Sequence, residues 1–296
     1  VVNMTWMDGI AGNPTFNGGQ ILNILGDLTI SDTMTYSQSH ELRLYGSLTL
    51  FEGMTWNHNH WTRFYSDSTG NTIDPAGNSF IYNIHFNGDG DCTLHDDMIM
   101  PFNYVTYIEK GTFISGGQRM DFGQQMYSEN NTLRTIDLTG TDTAEVDYRW
   151  WLGNNNSTLV IDNAVILFDI NTSDHPYFDG GNHTYNDVVV NYHLNNGHTM
   201  YFRDNNQVND VKITTVGRQN IRLEGSSVYN DVSIDYQLVS SHTPTVTITS
   251  NNTFNDFTLG VSGTQRPTFT VNGSNTFNVL EIASGTNVFF GANQTQ

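Results

Sequence analysis

Residues 182–190 read NHTYNDVVV. The phrase returns at 205–213 as NNQVNDVKI, at 226–234 as SSVYNDVSI, at 251–259 as NNTFNDFTL and at 274–282 as SNTFNVLEI. Its common form is a polar pair, then an aromatic residue or Val, then Asn, usually Asp, and an alternating apolar run. The central asparagines are Asn186, Asn209, Asn230, Asn255 and Asn278, nearly evenly spaced along the chain. The same spacing continues more faintly upstream, with Asn163 in IDNAVIL one such step before Asn186 and Asn83 in a similar phrase, FIYNIHF. A fixed period of roughly 20 to 25 residues marks a solenoid, in which one coil takes three short strands and three turns. No single coil can bury its inner face; stacking on identical strands about 4.8 Å above and below closes a core and pairs the backbone. The expectation is an all-β, right-handed parallel β-solenoid with roughly 23-residue coils, handedness following the crossover rule for parallel strands. A β-sandwich shows no fixed phrase, and propeller blades repeat at about 40 residues or more.

Alternation along YNDVVV puts Val188 and Val190 on one face and turns Tyr185 and Asn186 opposite ways. Two columns follow. Tyr185, Val208, Tyr229, Phe254 and Phe277 are expected to stack one coil above another. Asn163, Asn186, Asn209, Asn230, Asn255 and Asn278 are expected at a bend as an amide ladder that satisfies a costly polar corner. A longer repeat links Asn13–Gly19 (NPTFNGG) with His175–Gly181 (HPYFDGG) in the other half of the chain. Residues 88–160 look irregular and are expected to be loop excursions from one solenoid spanning 1–296.

Composition agrees. The chain has 296 residues, 14% charged and 37% hydrophobic, with a formal net charge of -19. Asn and Thr number about 36 each, with 27 Gly, which suits strands and the turns between them. With 12% aromatic residues the chain is not a disordered one. Lys110 and Lys212 are the two lysines, so no basic stripe exists to displace counterions, and nucleic acid is excluded as a partner. No apolar run approaches the ~20 residues that span a bilayer, so membrane insertion is not expected. The single cysteine, Cys92, has no internal disulfide partner. The chain begins at Val1 without a signal-like segment and is expected to be a mature or excised stretch of something longer.

The phrases PTFNGG, NTFNDFTL and HTYNDVVV, with TLRTIDLTGT ahead of a Trp-rich segment and then TLVIDNAVILFD, resemble repeat regions of very large secreted Bacteroidota cell-surface proteins. These are typically exported by the type IX system and include gliding-motility and other surface adhesins. The resemblance covers most of the chain, strongest over about 130–282. It implies an extracellular, cell-surface location and a structural stalk or display rod contacting glycans or surfaces, with other envelope proteins as further partners. The C-terminal sorting domain of such proteins is not recognisable here. Under the same resemblance, the Asp-Ser/Thr-apolar triplets at Asp32, Asp67 and Asp142 imply O-glycosylation at Thr33, Ser68 and Thr143. In a Thr-rich chain such triplets also arise from composition.

Other candidates each have a plainer reading. Flat Trp faces stack on sugars, which makes Trp56, Trp61, Trp150 and Trp151 candidate glycan contacts; an aromatic in a solenoid is more often core. On one strand, His58 and His60 would share a face and could hold a metal, although no third ligand lies nearby. Asp89, Asp91, Asp96 and Asp97 gather carboxylates suited to calcium, yet their spacing matches no known calcium loop and Gly-Asp-Gly-Asp commonly makes a turn. No other cofactor is expected. A polysaccharide lyase or hydrolase on a β-helix would need clustered carboxylates or a basic residue beside them. Arg119, Arg134, Arg149, Arg203, Arg218, Arg222 and Arg266 look scattered, and neither a GxSxG nor a phosphate loop occurs. The reading is therefore non-enzymatic, with that enzyme class and a passive scaffold for partner surface proteins as the alternatives.

Overall fold

The computed structural model describes residues 3–6, 15–30, 33–153, 156–237, 243–263 and 266–291. Asn13 and Pro14 of the longer repeat, and Asp32 of the first triplet, lie outside them. The described residues are strands, turns and connections without a helix, so none is long and apolar enough to cross a membrane. The chain forms two compact units, one of residues 1–144 and 156–164, the other of 145–155 and 165–296. Each is a parallel β-solenoid.

The first unit has three sides. After Met4–Trp6, which pairs with Leu28–Ile30, one coil runs through strands Thr15–Gly18, Leu22–Ile24 and Leu28–Ile30, and the next through Thr35–Gln38, Leu42–Leu44 and Leu48–Thr49. Each strand pairs in parallel with its equivalent one coil on. On one side Leu22 pairs with Leu42, Leu42 with Thr62, Thr62 with Ile84 and Ile84 with Thr106. Strands this short carry two inward side chains at most, so the core is built as columns. One runs Ile24, Leu44, Phe64, Phe86, Ile108, and another Phe16, Tyr36, Trp56, with ring centroids 5.0 and 4.6 Å apart.

Residues 88–160 are not loop excursions. In the first unit Asp91–Leu94, Gly111–Ile114, Arg134–Asp137 and Ser157–Val160 continue the ladder from Asn71–Asp74. Gln125–Tyr127, inside the polar stretch GQQMYSENNTL, pairs with Val105–Ile108. The inward column here is Cys92, Phe113, Ile136, which repeats no phrase.

In the second unit each coil has one short strand and one long one. The long strands are Thr184–Tyr192, Gln207–Thr215, Val228–Tyr236, Thr253–Val261 and Thr276–Ile282. Their registers step along the chain by the same intervals as the repeated phrase. Tyr185, Val208, Tyr229, Phe254 and Phe277 are in register, one per coil, all buried. The next buried position after Tyr185 is Val188. An odd interval cannot lie on one face of a flat strand, so the strand bends between them. Asn and Asp take the bend, and pairing skips each central Asn.

The central Asn row therefore lies on the outside. Asn186 is half-buried, and Asn209, Asn230, Asn255 and Asn278 are exposed. Asn278 Nδ2 donates to Asn255 Oδ1 at 3.1 Å and Asn209 Nδ2 to Asp187 Oδ1 at 3.0 Å. Asn163 is also exposed, but it belongs to the first unit, where its N–H donates to the Asp162 carboxylate. The buried polar corner is made by other residues, the second members of each polar pair. Asn206, Ser227, Asn252 and Asn275 are all at most 2% exposed. Each accepts from the backbone N–H one coil before: His183 to Asn206, Asn206 to Ser227, Ser227 to Asn252, Asn252 to Asn275. Their amide nitrogens close the turn locally, as in Asn252 Nδ2 to Thr249 O at 2.7 Å. The reason is positional. A residue two before an inward aromatic is also inward, and a buried turn needs partners for its backbone groups.

Candidate functional site: outward aromatic and arginine faces

Strand phase divides the tryptophan candidates. Trp56 and Trp150 are core, 6% and 0% exposed. Trp150 Nε1 donates to Tyr185 Oη, which donates on to Gly180 O, so its one polar atom is satisfied inside. Trp61 and Trp151 are half-buried on outward faces, and each face gathers charge around its Trp.

On the first unit the coil step brings Asn23, Arg43, Arg63, His85, Tyr107 and Tyr127 into one outward row. Trp61 lies beside it, 5.3 Å from Tyr107 and under the Arg63 guanidinium at 4.6 Å. Charges link the row. Glu41 Oε1 accepts from Arg43 Nε at 2.7 Å and stands 2.9 Å from Arg63 Nε. Arg63 also donates to His85 Nδ1, and His85 Nε2 meets Glu109 Oε2 at 2.7 Å. Arginine can only donate, so His85 Nδ1 is an acceptor and the proton sits on Nε2. Burial lowers the His85 pKa, and Glu109 opposes this less strongly. Burial acts to raise Glu41, but the Arg43 hydrogen bond and the Arg63 and Arg43 charges outweigh it and hold the carboxyl below its ordinary value.

On the second unit the corresponding row is Arg149, Tyr177, Tyr201, Arg222. Beside it runs Trp151, Asp179, Arg203. The Tyr177 and Tyr201 rings are parallel, 5.0 Å apart at 9°. Arg203 lies 4.4 and 4.7 Å from their centroids, and Arg149 lies 3.3 Å from that of Trp151. Asp179 sits between Arg149 and Arg203, at 3.3 and 3.7 Å. Its burial raises the carboxyl above its ordinary value despite both arginines. Arg203 and Arg222 share Glu224. Arginines that look scattered along the chain are thus collected by the coil step. The reading from sequence did not single out Arg43, Arg63, His85, Tyr177 or Tyr201. The signal was present in their spacing, since Arg43 and Arg63 stand one coil apart, as do Tyr177 and Tyr201.

The remaining candidates are placed differently. His58 and His60 do not share a face, because the strand Thr55–His58 ends between them. His58 is buried between Gln38 O and Trp61 O, at 3.1 and 3.0 Å, while His60 stacks on Tyr82 outside. The four aspartates each bind a neighbouring coil. Asp89 pairs with Lys110, and Asp91, Asp96 and Asp97 accept backbone N–H groups of Gly70, Gly77 and Arg119. Among the described residues no three His, Cys, Asp or Glu side chains are grouped to hold an ion. Thr33 and Ser68 are exposed and Thr143 is half-buried. No family model, curated protein or solved structure matches the chain.

Proposed function

We propose that the chain is a segment of an extracellular surface adhesin, of the kind displayed in gliding motility or attachment. The solenoids act as stalk and display surface, and the outward aromatic faces touch glycans or other surfaces. The observation that carries this reading is the parallel Tyr177–Tyr201 pair, flanked by Arg203 and by Trp151 under Arg149. These rings stand outside a core already filled by Phe178, Phe202 and Trp150. With Tyr177 stacked on Tyr201 and Trp151 under Arg149, the cluster offers ring edges and tyrosine hydroxyls beside guanidinium donors, which suits the hydroxyl edge of a sugar. The test is binding of the purified chain to immobilised polysaccharides and cell envelopes, with Tyr201→Ala and Trp61→Ala alongside. Loss of at least about tenfold in affinity, ~1.4 kcal/mol, is expected for one or both variants. Binding unchanged in both would refute the role given to these faces.

A second reading is a polysaccharide lyase or hydrolase on the same fold, favoured by the Glu41–Arg63–His85–Glu109 chain. It ranks below adhesion because both His85 nitrogens are already engaged, leaving no free base in this arrangement. Turnover of neutral or acidic polysaccharides by the purified chain, abolished by His85→Ala, would reverse the ranking.

A further inference from the structure

The second unit carries an open groove of about 500 Å³ that neither aromatic face includes. It runs across successive coils, between the residue before each inward aromatic and the central Asn after it. One rim is Thr184, Gln207, Val228, Thr253 and Thr276, and the other is the row from Asn209 to Asn278. Four coil steps separate Thr184 from Thr276, so the groove extends roughly 19 Å at the spacing of paired strands. We infer that this groove binds a linear, uncharged polysaccharide lying along the solenoid axis.

Three observations select that occupant. The first is the donor and acceptor pattern. Thr184, Gln207, Thr253 and Thr276 make no side-chain hydrogen bond among the described residues, so one rim offers unspent hydroxyls and an amide. On the other rim each Asn amide gives one N–H to the preceding coil, as Asn230 to Asp210 and Asn278 to Asn255 Oδ1. Each keeps a second N–H and an oxygen lone pair, so this rim can both donate to and accept from hydroxyls. Beneath the rims lies the buried Tyr185, Val208, Tyr229, Phe254 column, so the apolar surface offered to a sugar ring is that of the exposed rim residue Val228.

The second is the period. Rim groups recur once per coil, every ~4.8 Å, whereas an extended peptide repeats its like-facing groups every ~6.6 Å and falls out of step.

The third is charge. No ionisable acid or base other than the buried Tyr hydroxyls lines the groove. Immediately beyond the Asn rim, Asp187, Asp210, Asp231 and Asp256 stand in register, one per coil. Stacked carboxylates make the approach unfavourable for uronate or sulfated chains.

This inference deepens the adhesin reading and rests on it, but places a contact on residues distinct from the aromatic faces. The test is calorimetric titration of the whole chain with cello-, laminari-, malto- and chito-hexaose, and with oligogalacturonate and hexameric chitosan as charged comparators. At least one neutral hexamer should bind, with little dependence on salt. Thr253→Arg and Val228→Arg, both on the exposed rim, should weaken it at least about tenfold. Lys212→Ala, exposed and outside both the groove and the aromatic faces, should leave it unchanged, and circular dichroism checks that each variant folds. Absence of binding by any neutral hexamer, preference for a charged one, or parental affinity in both arginine variants would overturn the groove. If Tyr201→Ala abolishes surface binding and the arginine variants do not, the groove fails and the adhesin reading stands. The reverse result supports the groove and removes the role of the aromatic face.

Discussion

Two asparagines of one repeat, Asn252 and Asn255, should respond very unequally to truncation. Asn252 is 1% exposed. Its Oδ1 accepts the Ser227 N–H at 3.1 Å, and its Nδ2 donates to Thr249 O at 2.7 Å and Asn275 Oδ1 at 3.1 Å. Asn252→Ala leaves the buried Ser227 N–H without a partner, which costs about 1–3 kcal/mol, and deletes a turn-closing bond worth about 1 kcal/mol more. A loss of roughly 3 kcal/mol is expected. Asn255 is exposed, its Nδ2 reaches Asp231 only at 3.5 Å and the bond its Oδ1 accepts from Asn278 at 3.1 Å is replaceable by water, so Asn255→Ala should fall within about 0.5 kcal/mol of the parent. Asn252→Ser should be milder than Asn252→Ala. Ser227 already does the same work one coil earlier, accepting from Asn206 N at 3.0 Å and donating to Asp204 O at 3.0 Å. Urea unfolding followed by circular dichroism measures all three. If Asn255→Ala costs as much as Asn252→Ala, the placement of the structural ladder is wrong.

Burial depresses His58 to a pKa of about 4, against the two carbonyls that favour its cation. Its neutral form is favoured in the folded state, so this stability is fully present above about pH 6.5 and is lost as pH falls toward 4. The contribution is roughly 3 kcal/mol, read as the difference in pH slope between the parent and His58→Gln, and a ring titrating at or above 6.5 by NMR would contradict it. Cys92 is buried and its thiol is pushed up to about 12, so a thiol reagent at pH 8 should label it only after unfolding; rapid labelling of native protein would count against that burial. Gly225 has φ +89 and would place a Cβ 1.8 Å from Asp204 O, so Gly225→Ala should cost about 2 kcal/mol or more by thermal unfolding, and an unchanged midpoint would show that the turn relaxes freely.

The second unit was legible because its steps are written in the sequence. Each interval between repeated asparagines equals a ladder register, and the aromatic before each Asn lies in one column. What the phrase concealed was its phase beyond the aromatic. Strict alternation carries inwardness from Tyr185 to Asp187, but the burial resumes at Val188, and only a bend permits that. The same bend turns the central asparagines outward and leaves the corner to Asn206, Ser227, Asn252 and Asn275. The pairing of Ser with Asn at that position was a usable sign, since both accept from a backbone N–H while the aromatic two positions later fixes the inward phase. Residues 88–160 gave no sign because a column such as Cys92, Phe113, Ile136 needs only apolar volume. Nothing in such a column requires a repeated residue type.

The faces were hidden for a related reason. In a solenoid the inward positions are constrained by packing and the turns by backbone satisfaction, so the outward positions of the short strands are left free to vary. Their neighbours are not residues i and i+2 alone but also those one coil away. Arg63 meets Glu41 and His85, and His85 meets Glu109, each pair bridging neighbouring coils. Read along the chain, these are isolated charges in a poorly charged protein. Read at the coil step, five of the nine arginines stop being scattered: Arg43 and Arg63 share one outward row, and Arg149, Arg203 and Arg222 share another face with Tyr177, Tyr201 and Trp151. With so little basic charge available, three of those nine, Arg63, Arg149 and Arg203, lie against outward aromatic rings, and it is on that concentration that the proposed contact role rests.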